Sequence, residues 1–247
     1  MRETEGTSLM GSSSTDSRRD EHQPLVSVIM NCYNSARYLR EAIESVLAQT
    51  YPHWEIIFWD NQSTDESAKI FNSYSDSRLR YFIAPEHTKL GQARNQAVKQ
   101  ARGEWLGFLD CDDVWLPEKL EKQVAIILDE GPELGLVYGQ MLVLDENYEP
   151  SSKWSAGMSK YSKKTLLKSL PEGWIFNKLI KFNFISLVTA IVETKLYHEV
   201  GGLTEHFEIS EDYELFVKVS AVRKVRAVQN IIAYYRVHLS NASLLGS

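Results

Sequence analysis

Cysteine is scarce in this chain: Cys32 and Cys111 are its only two. That is no disulfide framework, and neither has neighbours at zinc-ligand spacing. Two isolated cysteines suit a reducing compartment, so the expected location is cytoplasmic. Cys32, inside an apolar run, reads as strand packing. A basic excess is also missing. With 27 Lys and Arg against 33 Asp and Glu, the net charge is −6, which argues against nucleic acid as a partner. An anionic ligand would need a cation or a local Arg or Lys to hold it. No apolar run is long enough to span a bilayer; the longest lies near Phe184 to Val192. Peripheral contact at the inner face of a membrane stays open. No secretory signal is recognisable, and residues 1–23 are polar enough to read as a disordered tail. Glycine is absent from Asn31 to Arg37, just after the first expected strand. A dinucleotide G-x-G-x-x-G loop and a glycine-rich triphosphate loop are therefore both disfavoured.

What is present is an alternation of strand and helix signals. Short β-branched and aromatic runs at Leu25 to Met30, Trp54 to Trp59, Leu79 to Ile83 and Trp105 to Leu109 read as buried strands. Helices are expected around Leu39, Ile43 and Val46, then after a Ser63 N-cap, over Gly91 to Ala101, and from Pro117 to Leu128. The second half is less regular. Strands are expected at Leu134 to Leu144, Phe184 to Val192 and Val225 to Tyr235. Helices are expected at Thr194 to Val200, stopped by Gly201-Gly202, and at Tyr213 to Val222. The fold class is thus α/β, with a mostly parallel central sheet and helices on both faces. One domain over residues 24–240 is expected, split into halves at about 24–130 and 131–240, with residues 241–247 a tail.

Ligands in such sheets bind beyond the carboxyl ends of the strands. Three polar turns fall there: Asn31 to Ser35, Asp60 to Asp65, and Asp110-Cys111-Asp112-Asp113. Like charges about 4 Å apart repel by about 1 kcal/mol in water and about 4 at a near-surface dielectric. The aspartate turn is therefore either a site for a hard divalent cation or an acidic cap for the next helix.

The motifs in order add a resemblance. Val26-Ser27-Val28-Ile29-Met30-Asn31-Cys32-Tyr33-Asn34 is followed by Ser45 to Pro52, Trp59-Asp60-Asn61-Gln62-Ser63-Thr64-Asp65, Ala93-Arg94-Asn95, Gly103-Glu104-Trp105, Leu109 to Asp113, and Gly201-Gly202 ahead of Glu211-Asp212-Tyr213. This set resembles family 2 glycosyltransferases over about residues 24–240. The resemblance implies a GT-A fold and inverting transfer of a sugar from a nucleotide-sugar, with a UDP-sugar expected, to a hydroxyl of a glycan or glycolipid in envelope polysaccharide or glycoprotein synthesis. It implies that Tyr33 lies against the base, with Asn34, Asp60, Asn61, Arg94, Asn95, Asp110, Cys111 and Asp112 lining the nucleotide site. The position of Asn61 is often Asp in that family, which leaves the base open. Mn²⁺ or Mg²⁺ would be held by Asp112 or Asp113, with His238 of Arg236-Val237-His238 joining. Asp212 would be the general base, with Glu211 at the same address. Each assignment has a plainer alternative. Asp60 and Asn61 suit an Asx-turn, Arg94 and Asn95 a solvated helix face, Asp212 a helix N-terminus, and His238 an exposed position. Trp154, Trp174 and Phe176 are core aromatics or a platform for an acceptor sugar. A nucleotidyltransferase and a non-catalytic sugar-nucleotide-binding subunit are the competing functions.

Overall fold

The computed structural model describes residues 23–144, 169–206 and 211–238. Expectations for the two tails, for the loop-rich stretch after residue 146 and for Trp154 lie largely or wholly outside these residues. The elements run β1 (Val26–Cys32), α1 (Ala36–Leu47), β2 (Trp54–Asp60), α2 (Ser67–Phe71), β3 (Leu79–Ile83), α3 (Leu90–Val98), β4 (Trp105–Phe108), β5 (Val114–Trp115), α4 (Lys119–Asp129) and β6 (Leu134–Leu144). After these come α5 (Phe176–Leu179), a 3-10 turn (Leu187–Thr189), β7 (Ile191–Glu193), α6 (Thr194–Glu199), α7 (Glu211–Val222) and β8 (Lys224–Arg236).

All eight strands join one sheet in the order β3-β2-β1-β4-β7-β6-β8-β5. Strands β3, β2, β1 and β4 run parallel. β7 is antiparallel to both β4 and β6, while β6 and β8 are parallel. Only β7 and the short β5 therefore oppose the common direction among the described strands. The carboxyl ends of β1, β2, β4 and β8 consequently meet along one edge.

The period-2 pattern explains the two cores. Along β1, Val26, Val28 and Met30 face one side, packing with Leu39, Ile43, Val46, Phe58, Trp115 and Leu120. Ile29 faces the other, with Ile57, Leu106, Ala93, Tyr197 and Phe216. Each such side chain, fully buried, contributes roughly 1.5–3 kcal/mol. α1 and α4 cover the first face; α3, α6 and α7 cover the second.

Three local expectations need correction. Ser63 is not an N-cap: α2 starts at Ser67 behind Glu66, and its cap makes no side-chain hydrogen bond. The Ser63 hydroxyl instead accepts the Asn34 N–H at 3.0 Å, tying the first turn to the second. The apolar run from Phe184 to Val192 is not a strand throughout. The Thr189 hydroxyl donates to the Ser186 carbonyl at 2.8 Å and closes the 3-10 turn, leaving only Ile191–Glu193 in the sheet. A run buried on every side carries no period to tell turn from strand. Pro117 lies just outside α4, whose first residue is Lys119.

Candidate active site

The first two turns are stitched together by short polar side chains. Asn34, at φ +50°, accepts the Thr64 N–H on its Oδ1 at 2.8 Å. Asp60 is buried, and its carboxylate accepts from the Ser63 N–H at 2.7 Å and from the Tyr81 hydroxyl at 2.6 Å. Asn61 is buried too. Its amide donates to the Thr88 carbonyl at 2.8 Å and accepts the Thr88 N–H at 3.1 Å, so it holds that loop at Thr88. Asp60 thus closes its own turn through Ser63, while Asn61 reaches across to Thr88 and makes no local turn contact among those described. Tyr33 is 50% exposed, with the His87 ring 4.3 Å away. His87 itself is held by the Asn61 carbonyl at 2.9 Å. His87 carries no motif and sits in a loop, so nothing in the sequence marks it.

The third turn follows β4. Asp110 is partly exposed and ion-paired to Arg94. Asp112 and His238 meet at 2.9 Å between Oδ2 and Nε2. Asp113 points inward, buried, and accepts the Arg236 N–H at 2.8 Å. Arg236 itself is buried against the Tyr38 ring, donating to the Asp112 carbonyl at 2.8 Å and to Glu41 at 2.5 Å. Burial, followed by the Asp110 charge, pushes the Asp112 carboxyl up; burial and the neighbouring Asp112 push Asp113 well above the usual range. Beneath them the two cysteines meet: hydrogen bonding from Cys111 is the main cause lowering the Cys32 thiol to about 7, against its burial. Cys111 also donates to the Asn31 carbonyl at 3.4 Å, so it faces the base of the site.

Opposite, α7 begins with Glu211 and Asp212. Glu211 is buried and paired to the second arm of Arg94. Asp212 is raised to about 6, first by burial and then by Glu211, with Arg94 pulling the other way. Asn95 lies beside Arg94 but is fully engaged by the polypeptide: its Oδ1 accepts from the Tyr197 hydroxyl and the Leu203 N–H. Trp174 is 58% exposed on the flank of α5, and Phe176 is half-buried at its start.

The edge thus collects Asp110, Asp112, Asp113, Glu211, Asp212 and Glu41 around two arginines and one histidine. Such a negative surplus suits a divalent cation bound together with phosphates. No group of three or more His, Cys, Asp or Glu among the described residues is arranged to hold a metal alone. Asp112 and His238, now paired to each other, would offer at most one oxygen and one nitrogen, so a Mg²⁺ or Mn²⁺ ion there would need substrate phosphates to complete its shell.

Known proteins resemble this chain in sequence and fold. An uncharacterized glycosyltransferase of Rickettsia felis is 31% identical over 228 residues, covering 89% of this chain but 35% of its own length. The chain therefore spans about a third of that relative. The Escherichia coli UDP-Glc:alpha-D-GlcNAc-diphosphoundecaprenol beta-1,3-glucosyltransferase WfgD is 29% identical over 89% of this chain and 79% of its own. Staphylococcus aureus TarS 1-349, solved in complex with UDP, superposes with a TM-score of 0.67 at 25% identity, over 86% of this chain and 60% of that one. The expected GT-A architecture is the one observed. The pattern of Glycosyl transferase family 2 matches residues 27–187, well over half the chain, and the protein belongs to that family.

Proposed function

We propose that the protein transfers a sugar from a nucleotide-sugar to a hydroxyl acceptor with inversion at the anomeric carbon, in the assembly of a surface glycan. The observation that carries the reading is Asp212. Held near 6 by burial and Glu211, it is ionised at neutral pH yet basic enough to take a proton, the range a general base needs. In this mechanism Asp212 accepts the acceptor's hydroxyl proton as that oxygen attacks the anomeric carbon. The bond from that carbon to the diphosphate oxygen breaks, and its electron pair leaves with the nucleoside diphosphate. Tyr33 presents a ring to the base, with His87 behind it. Asp110 would meet the ribose. Asp112 and His238 would hold the cation, while Asp113 braces the turn through Arg236. The cation, when bound, neutralises charge on the departing diphosphate. WfgD and TarS, whose names carry UDP or UDP-Glc, support a UDP-sugar as the first donor to try. The acceptor is a glycan or lipid-linked glycan. No described helix is long and apolar enough to cross a membrane.

The test is nucleoside diphosphate release from a UDP- and GDP-sugar panel with Mn²⁺ or Mg²⁺ and mixed glycan acceptors. Turnover that EDTA abolishes and that Asp212→Asn lowers supports the reading. Pyrophosphate release would mark a nucleotidyltransferase. Metal-independent binding without turnover would mark a binding subunit.

A further inference from the structure

Arg94 projects from α3, but its guanidinium is buried, with a side-chain exposure of 4%. One arm pairs with Asp110 beyond β4 and the other with Glu211 at the start of α7. Asp110 belongs to the nucleotide half of the site; Glu211 adjoins Asp212 in the acceptor half. Two further residues of α3 make the same crossing. Asn95 donates to the Leu203 carbonyl and to Glu205, both at 2.9 Å. Gly91 has a reason to lack a side chain, since a Cβ there would lie 2.2 Å from the Thr204 carbonyl oxygen. Positions 91, 94 and 95 share one helix face. That face holds the chain just before Asp212 at two places, residues 203–205 and residue 211.

We infer that Arg94 is a positioning residue joining the two halves: it sets Asp110 and Glu211 at a fixed separation, and through Glu211 it places and tunes Asp212, without itself touching the phosphates of the nucleotide. The inference rests on the glycosyl-transfer reading. A planar fork reaches two carboxylates at once, which a lysine ammonium on a flexible stem does not reproduce. The charged groups facing Asp212 are Glu211 beside it and Arg94 from α3, with Asp110 on the far side of that arginine.

The experiment compares Arg94→Gln, Arg94→Lys and Glu211→Gln with the wild type in the nucleoside diphosphate release assay. Both Arg94 variants should lower kcat by about 10²-fold, the scale of a small misplacement of a reacting group. The KM for the nucleotide-sugar and the Kd for UDP should stay within about threefold, because nothing uniform to binding is lost. The acid limb of kcat should move up by about one unit in Arg94→Gln, which removes a cation, and down in Glu211→Gln, which removes an anion. Arg94→Lys keeps the charge and should leave the limb in place despite its lower kcat. A loss of UDP affinity of about tenfold or more with kcat retained would make Arg94 a nucleotide ligand and overturn the inference. So would an acid limb unmoved in both Gln variants. Should Arg94→Gln fail to fold, Arg94→Lys and Glu211→Gln carry the same test. A wild type that turns over no donor defeats the glycosyl-transfer reading instead. Carbon-13 NMR titration of the Asp212 carboxylate in these variants then decides the coupling, opposite shifts supporting it and no shift overturning it.

Discussion

The two edges of the sheet treat buried carboxylates in opposite ways. At the amino edge, Glu55 near the start of β2 accepts from the Ser27 hydroxyl at 2.7 Å, the Arg80 guanidinium at 2.8 Å and the Arg102 N–H at 2.7 Å. The Ser27 hydroxyl in turn accepts the Gly103 N–H at 2.8 Å. One charge there has a cation and a ring of donors. At the carboxyl edge, Asp110, Asp112, Asp113, Glu211 and Asp212 crowd around Arg94, Arg236 and His238, and three of them have carboxyls pushed upward. A satisfied charge holds strands in place. Charge in surplus costs stability, and carboxyls pushed upward together in one place mark a candidate ligand site.

The largest effect that would sharpen this contrast is on turnover. Asp212→Asn keeps the shape and removes the proposed base, so kcat should fall by about 10²–10⁴-fold, measured as nucleoside diphosphate release. Retained turnover would take Asp212 out of the chemistry and point to Glu211. At the other edge, Glu55→Ala should leave kcat and UDP affinity per folded molecule unchanged. It strips Arg80, Ser27 and the Arg102 N–H of their partner and should cost about 3 kcal/mol in urea unfolding, the scale of breaking a buried pair. A stable Glu55→Ala protein, or one defective in turnover, would erase the distinction between the edges.

Much of this division was readable in the sequence, because it follows from direction. Alternating strand and helix signals imply parallel strands, and parallel strands bring the turns after β1, β2 and β4 to one edge. The spacing of Ile43 and Val46, or of Trp54 to Trp59, is local information that the chain carries openly. What escaped is what depends on partners far away. Arg94 meets Glu211 across 117 positions of sequence, and no local pattern announces that its fork faces two carboxylates rather than a phosphate. Asn61 looked like a nucleotide contact because its position suits one; only the loop ending at Thr88 shows where its amide goes. Ser63 looked like a cap because capping residues and turn-bridging residues are the same types. The direction of Asp113 depends on the Arg236 backbone, set by the pairing of β5 with β8.

A smaller effect concerns pH. The folded Asp212 sits at about 6 against an ordinary 3.8. A raised carboxyl favours the fold while it is protonated in both states, below about pH 4, and that stability is lost as pH rises through 6. Asp212→Asn removes this dependence. The variant should therefore match the wild type near pH 4 and exceed it at pH 7 by roughly 2 kcal/mol, in urea melts at the two values. Asp112 and Asp113 are raised as well, so a slope of the same sign should survive in the variant. A variant no more stable than wild type at pH 7 would mean that Asp212 carries no strain at the carboxyl edge.

The smallest expected effect probes the seam that brings the acceptor half to that edge. Gly91 has no unusual φ, so alanine is the better helix former there by about 1 kcal/mol. Against that gain stands the Thr204 carbonyl, 2.2 Å from where the new Cβ would lie. A backbone oxygen cannot rotate away as a side chain would, so either α3 or residues 203–205 must shift. Overpacking of this kind costs about 1–3 kcal/mol, leaving Gly91→Ala a net loss of roughly 1 kcal/mol in urea unfolding. The shift also loosens the route from α3 to Asp212, so kcat should fall severalfold while UDP affinity, which the proposed function assigns to Tyr33 and the aspartate turn, should hold. Equal losses in kcat and UDP affinity would show the carboxyl edge moving as one block. A more stable Gly91→Ala protein would show that the seam has room to spare and that helix propensity alone decides the position.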